Sequence, residues 1–332
     1  MLSRLPAFTP LANLPTPIQP LLKWQEKTAG VNWWIKRDDL TANAASGNKI
    51  RKLEYVAHAA LARDADVLIT CGGLQSNHAR TTALVAAQLG LKSHLVLRGE
   101  MPAQWNGNFL LDKIAGATIS FITPEEYAAA NWQIMHTVAE SYAAKGIKAI
   151  VIPEGASDAL GTFGYAKAVE EIIQQSQAMG VSFDAVFCAT GSGGTQAGLI
   201  LGKALYGWNA TVYGINICDD EAYFQQKIRT ILDGVRADYL PEFAAARQDI
   251  RLLDGHIGDG YAKTRPEELA TLIAFARLEG IILDPVYSGK ALHGLMKEFN
   301  KGRFAGLANI LFLHTGGLFG LFPFEAQFQT VC

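Results

Sequence analysis

Five short segments of this 332-residue chain carry side chains and backbone suited to chemistry. In SGNKIRKLE, Lys49 sits at the expected opening of a helix, behind Ser46-Gly47-Asn48, with Arg51 and Lys52 crowding the same turn. Like charge and a helix N-terminus both disfavour an ammonium there. A neutral amine is what condensation with a carbonyl compound needs. The same residues would serve equally as an exposed basic turn that binds an anion or meets solvent. In GGLQSNHAR, Ser76, Asn77 and His78 stand where an apolar strand gives way to a helix, a place where α/β folds bind ligands. Backbone N–H groups there could receive a carboxylate, and the plain alternative is a helix cap. A serine–histidine nucleophile is disfavoured, because Ser76 and His78 are too close in sequence to share a helix face and no GxSxG elbow exists.

The third segment is GSGGT, formed by Gly191, Ser192, Gly193, Gly194 and Thr195. It follows an apolar strand and opens a helix, so converging N–H groups, two hydroxyls and the helix N-terminus make a phosphate cradle. Its spacing is neither GxGxxG nor a Walker motif, and the tip of the next strand carries Asn216 instead of an acid. A tight turn with no ligand is the alternative. DPVYSGK and HTGG complete the set, offering Tyr287 as an acid, base or stacking ring and Thr315 as a partner for a ring nitrogen. Tyr261, in GDGYA, suits a pocket wall; each of these three is otherwise an ordinary loop residue.

The elements that must position these segments alternate. A helix is expected from about residue 50, a strand at 65–71, a loop at 72–77, and further strands at KSHLVLR, TISFI and AIVIPEG, with helices between them. The rhythm restarts with a helix in GTFGYAKAVEEIIQQSQAMG, a strand at 183–190, the loop at 191–195, a strand in ATVYGINI, and helices at about 220–234 and 266–278. A helix from SGKALHGL and a strand in NILFLH close the pattern. Residues 241–263 match neither period, and the first forty residues hold one extended piece, VNWWIKRDDL. Such repetition predicts βαβ units and mainly parallel sheets, with a boundary between two lobes near 155–162.

Composition removes several classes. A net charge of -2 with interleaved signs gives no electrostatic case for nucleic acid. No charge-free apolar stretch reaches membrane-spanning length, and prolines interrupt the N-terminal segment, so neither a membrane span nor a secretory signal is expected. Seven scattered histidines show no HxH or HExxH spacing, so no metal is expected. Cysteines at 71, 188, 218 and 332 form no CxxC pair and read as free thiols of a cytoplasmic protein.

In this order, the five segments resemble the pyridoxal-phosphate enzymes of fold type II, in the branch that holds D-cysteine desulfhydrase and 1-aminocyclopropane-1-carboxylate deaminase, over nearly the whole chain. NGNFLLDKIAGA and TLIAFARLEGIILDP fit the same texture. The resemblance implies an α/β fold of two open, twisted, mainly parallel sheets flanked by helices. It implies a small domain over 52–157, and a large cofactor-binding domain from 1–51 and 158–332. It implies pyridoxal 5'-phosphate bonded to Lys49, with Asn77 beside the ring's phenolic oxygen and Thr315 at the ring nitrogen. Gly191 through Thr195 would hold the phosphate. Ser76 would handle the substrate carboxylate or a proton, with Asn77 and His78 completing the carboxylate site, while Tyr261 and Tyr287 face the substrate. A small amino-acid substrate and a homodimer follow from the same resemblance.

Two residues choose between the branch's activities. Ring-opening enzymes carry a glutamate after the tyrosine of DPVY, where a carboxylate keeps the pyridine nitrogen protonated; here the residue is Ser288. The QSN motif continues with His78, as in the desulfhydrases, where the deaminase pattern has glutamine. Ser46 before Gly47 departs mildly from a glycine pair and changes little. The expected reaction is therefore β-elimination of D-cysteine to pyruvate, hydrogen sulfide and ammonia. The alternatives are deamination of 1-aminocyclopropane-1-carboxylate to 2-oxobutanoate, elimination from L-cysteate or 3-chloroalanine, and a non-catalytic small-molecule binder that kept the fold.

Overall fold

A computed structural model describes residues 5–28, 30–244 and 249–332. Contiguous apolar runs such as VLITC and AVFCAT become strands buried on both faces, the environment of a helix-covered parallel sheet. Among the described residues, ten strands make two sheets. The first comprises β1 (Ile18–Pro20), β2 (Asn32–Arg37), β7 (Ala185–Thr190), β8 (Thr211–Asn216), β9 (Arg251–Leu253) and β10 (Asn309–His314), in the order β1-β2-β10-β7-β8-β9. Among these described strands, only the β1–β2 pair is antiparallel. The second is all parallel, in the order β5-β4-β3-β6, from β3 (Val67–Gly73), β4 (Lys92–Arg98), β5 (Thr118–Ile122) and β6 (Ala149–Val151).

The helices are α1 (Asn48–Leu61), α2 (Asn77–Gln88), α3 (Gly107–Ile114), α4 (Pro124–Ala143), α5 (Phe163–Met179), α6 (Gly194–Tyr206), α7 (Glu221–Asp238), α8 (Pro266–Glu279), α9 (Ser288–Asn300) and α10 (Glu325–Gln329). Side-chain alternation along each strand decides which helix covers which face. Leu68, Leu95 and Leu97 meet α1, α2 and α3, while Val67, Ile69, Cys71 and Val96 meet α4. On the larger sheet, α5, α6 and α7 cover one face and α8 and α9 the other. No described helix is long and apolar enough to cross a membrane.

The observed elements follow the expected rhythm, with local differences. β3 runs two residues further than expected, through Gly72 and Gly73, because both still pair with β4. α4 is kinked at Ala130, whose backbone is non-helical. The stretch at 241–263 holds β9, a three-residue strand too short for a period to show; its residues 245–248 lie outside the described residues. All strands of the smaller sheet come from residues 67–151, so the two sheets form from separate stretches of chain.

Candidate active site

The ends of β3, β4, β7 and β10, and the loops that follow them, converge on one cavity of about 400 Å³, a size typical of small-molecule sites. Lys49, Ser76, Asn77, His78, Gly191, Ser192, Gly193, Thr195, Tyr261, Tyr287 and Thr315 all line it. Gly194 lies just behind the wall as the first residue of α6. Segments spread over most of the chain are thus brought to one place.

Asn48 organises their meeting. Its backbone N–H donates to the Thr315 carbonyl at 3.0 Å, and its side-chain amide donates to the Thr195 hydroxyl at 3.0 Å. Its remaining oxygen accepts from Lys49 Nζ at 3.1 Å. One buried asparagine therefore ties the lysine to the glycine-rich loop and to the TGG turn.

Lys49 has no carboxylate within ion-pair distance among the described residues. Burial lowers its pKa to about 8, Arg80 pushes the same way, and Glu154 and Asp284 oppose both. The direction agrees with the sequence argument but the cause differs. Arg51 points away from the cavity into a paired cluster: its guanidinium donates two bonds of 2.8 Å to Asp38 and one of 2.8 Å to Glu171. That cluster also holds Lys36 and Tyr165, and it fixes α1 against β2 and α5.

Lys52 is the residue that the sequence reading undervalued. It lies three positions after Lys49, on the same face of α1. Its fully buried ammonium donates only to the Gly155 carbonyl and the Ser157 hydroxyl, both at 3.2 Å. Burial, and then the charge of Lys49, drives its pKa well below the ordinary range. A Cβ built on Gly194 would lie 2.8 Å from Lys52 Nζ and 2.5 Å from Ser157 Oγ, so glycine is needed there for the loop to approach the ammonium. Gly193 has φ +80°, a conformation that glycine adopts freely. Ser157 also bonds Ser192 at 2.8 Å. The GAS turn, read from sequence as a lobe boundary, is therefore part of the cradle wall.

At the other end, Ser76 is the N-cap of α2, and its Oγ accepts from Ala79 N at 3.1 Å. Asn77 Oδ1 accepts from Asn108 Nδ2 at 2.9 Å, which leaves its amide N–H groups as donors. His78 is buried under α2 with Nε2 2.8 Å from Thr70 Oγ1. The single Thr70 proton goes to the Ile152 carbonyl, so the imidazole donates to Thr70. Burial, then Lys49 and Lys52, hold His78 well below its usual pKa, and the ring is neutral. What His78 offers an anion is its backbone at the helix start.

Tyr261 and Tyr287 meet hydroxyl to hydroxyl at 2.6 Å. Burial raises both, Tyr261 to about 12 against the opposing bond from Tyr287, so both are proton donors at neutral pH. Arg98 stacks on Tyr261 and lines the same cavity. Ser288 does not reach it. Asp284 accepts from Ser288 N at 2.7 Å and Ser288 Oγ at 2.5 Å through one oxygen, and from the Val286 and Tyr287 amides through the other. The DPVY loop thus turns its only carboxylate inward.

The donor set fits a phosphorylated aldehyde. An unpaired buried ammonium and a glycine-rich helix start wait at one end, a low-pKa amine stands in the middle, and the Thr315 hydroxyl has no hydrogen-bond partner among the described residues.

A family model described as "Pyridoxal-phosphate dependent enzyme" matches residues 10–316. The chain is 44% identical over 316 residues to a Thermotoga maritima protein named putative 1-aminocyclopropane-1-carboxylate deaminase, covering 94% of this chain and 96% of that one. It is 41% identical to the mitochondrial bifunctional D-cysteine desulfhydrase/1-aminocyclopropane-1-carboxylate deaminase of Arabidopsis thaliana, with 96% and 80% covered. It is 36% identical to the D-cysteine desulfhydrase of Serratia proteamaculans, with 96% of each chain covered. A crystal structure described as an ACC deaminase homologue superposes with a TM-score of 0.89 at 37% identity, covering 100% of this chain and 98% of that one.

Proposed function

The chain belongs to the pyridoxal-phosphate-dependent enzymes, in the family of 1-aminocyclopropane-1-carboxylate deaminases and D-cysteine desulfhydrases, and from that premise we propose that it is a lyase converting D-cysteine to pyruvate, hydrogen sulfide and ammonia. Bound pyridoxal phosphate supplies an electron sink for charge developing at the substrate's Cα. The remaining tasks fall to side chains. Lys49 would hold the cofactor through its aldehyde and take the substrate's Cα proton. Lys52, Ser157 and the 191–195 loop would hold the phosphate. Asn77 would donate to the ring's phenolic oxygen, and Thr315 would serve the ring nitrogen. The substrate carboxylate docks at the start of α2, on Ser76 and the N–H groups of Asn77 and His78. Tyr261 and Tyr287, linked and protonated, would donate to a departing group.

The observation that carries elimination over ring opening is the closed Asp284–Ser288 pair. With Ser288 in place of a glutamate and Asp284 consumed by its own loop, the residues that would serve the ring nitrogen offer a hydroxyl and no carboxylate. A hydroxyl does not hold that nitrogen protonated, so the sink is weaker. Loss of a good leaving group asks less of it than opening a cyclopropane. The second reading, the deaminase, is favoured by the name of the Thermotoga relative. Elimination from L-cysteate or 3-chloroalanine is a third outcome.

A panel of D-cysteine, L-cysteine, L-cysteate, 3-chloroalanine and 1-aminocyclopropane-1-carboxylate, read as keto-acid product, decides among them. Pyruvate from D-cysteine with the highest kcat/KM supports the proposal, and 2-oxobutanoate from the cyclopropane at a comparable or higher kcat/KM overturns it. The proposal also includes a small domain over 52–157, a homodimer and a cytoplasmic location. The last accords with four unpaired cysteines.

A further inference from the structure

Arg98 ends β4, directly beside Gly73 at the end of β3 in the parallel register. Its guanidinium lies 5.2 Å from the ring centroids of both Tyr127 and Tyr261, and it lines the cavity. Among the described residues it makes no hydrogen bond or ion pair. An arginine is charged at every accessible pH, and its five donors ordinarily find carboxylates or carbonyls. The buried arginines nearby use most of theirs: Arg51 binds Asp38 and Glu171, and Arg80 binds the Ala44 and Ser46 carbonyls and Asn108, with Nη2 alone unpartnered. Of these three, Arg98 alone has no guanidinium hydrogen bond among the described residues.

Its place defines what it can receive. Two rings flank the guanidinium, so its N–H edges are what remain for hydrogen bonding. Gly73 lies against both, since a Cβ there would make ordinary contact with Arg98 Nη2 at 3.7 Å and the Tyr261 ring at 3.9 Å. The Tyr261 hydroxyl in turn meets that of Tyr287. The cation therefore sits at the tyrosine end of the cavity, whereas Lys52 serves the glycine-loop end.

We propose that Arg98 is a specificity-determining residue that receives the group leaving from Cβ as an anion. This rests on the elimination reading above. In the step concerned, the Cα–H bond gives its proton to Lys49, and the Cα–Cβ double bond forms. The Cβ–S bond breaks with both electrons going to sulfur. The sulfur keeps its own proton and departs as hydrosulfide. The negative charge that appears on sulfur lies beside Arg98, and a preorganised cation stabilises charge that develops in the transition state. The more basic the leaving anion, the more that help matters. The substrate class is then a small amino acid whose β-substituent departs as an anion basic enough to need a cation beside it, as hydrosulfide is.

The test compares Arg98→Gln and Arg98→Lys with the wild-type holoenzyme on D-cysteine and on 3-chloro-D-alanine, whose chloride leaves with little assistance. For Arg98→Gln, kcat/KM on D-cysteine should fall roughly 30-fold, the size of one charge-assisted contact, with a change of less than about 3-fold on the chloro substrate. Arg98→Lys should recover part of the loss. Competitive inhibition by added hydrosulfide should weaken by a similar factor in Arg98→Gln, with the visible spectrum of the bound cofactor unchanged. An equal fall on both substrates would overturn the inference, because it would place Arg98 at the shared carboxylate. Undiminished turnover of D-cysteine would overturn it as well. Wild-type protein that eliminates from neither substrate would instead overturn the elimination reading itself.

Discussion

Within four residues, α1 carries two opposite treatments of a buried cation. Arg51 is enclosed by carboxylates: Asp38 takes it in bidentate fashion and Glu171 closes the other side. Lys52 is as deeply enclosed and Lys49 is half-buried on the cavity wall, yet between them they touch an asparagine oxygen, a carbonyl and a hydroxyl. A paired buried charge is structural, and removing one partner strands the other. An unpaired one raises the energy of the empty fold and becomes favourable when a ligand brings the missing charge. The same helix thus anchors the scaffold on one face and holds the site ready on the other.

The largest expected effect tests the ready face. Lys49→Ala should lose roughly 10³-fold or more in turnover, the scale of a missing acid–base group, while its urea midpoint stays at or above that of the wild type. Next comes the anchored face. Arg51→Met should lower unfolding stability by about 3–5 kcal/mol in urea titrations, because Asp38 stays fully buried with hydroxyl donors and, among the described residues, no cation in contact, while Glu171 keeps only Lys36. If Lys49→Ala and Arg51→Met destabilised the cofactor-free protein equally, the contrast between the faces would collapse.

Lys52→Met sharpens the contrast at intermediate size. The cofactor-free protein should be as stable as the wild type or more so, while the dissociation constant for pyridoxal phosphate rises about 10–100-fold, read by fluorescence titration. The smallest effect concerns protons. Lys49 has a folded pKa of about 8, against 10.5 ordinarily. Between those values the unfolded chain binds more protons than the folded one, so this group makes stability rise with pH across that window, and its penalty is fully present below about pH 8. The same shift predicts that acylation of Lys49 in the cofactor-free protein speeds up with pH and levels off near 8. A plateau near 10.5 would show an exposed, ordinary lysine.

The sequence revealed strands better than causes. Parallel strands covered on both faces read as unbroken apolar runs, so β3, β4, β7 and β10 and their glycine-rich ends were legible, and with them the segments that line the cavity. β9 was hidden because three residues carry no period. The reason for the lowered Lys49 pKa was misread because Arg51 is neutralised by Glu171, 120 positions away, and no local pattern reports such a pair. Lys52 had a signal, its i+3 spacing from Lys49, but its lack of a counter-charge is visible only in three dimensions. Asn48 had none, since its three bonds run to Lys49 and to loops at 195 and 315. Ser288 was legible as a departure from a motif, whereas its closure onto Asp284 was not.

The central claim is that, of the two unpaired cations on α1, Lys49 bonds the cofactor and Lys52 only neutralises its phosphate. Borohydride reduction of the coloured protein, followed by digestion and mass spectrometry, tests it directly. The account predicts one pyridoxyl phosphate group per chain, on Lys49. A label on Lys52, or a protein that gains no label after incubation with pyridoxal phosphate, would contradict it.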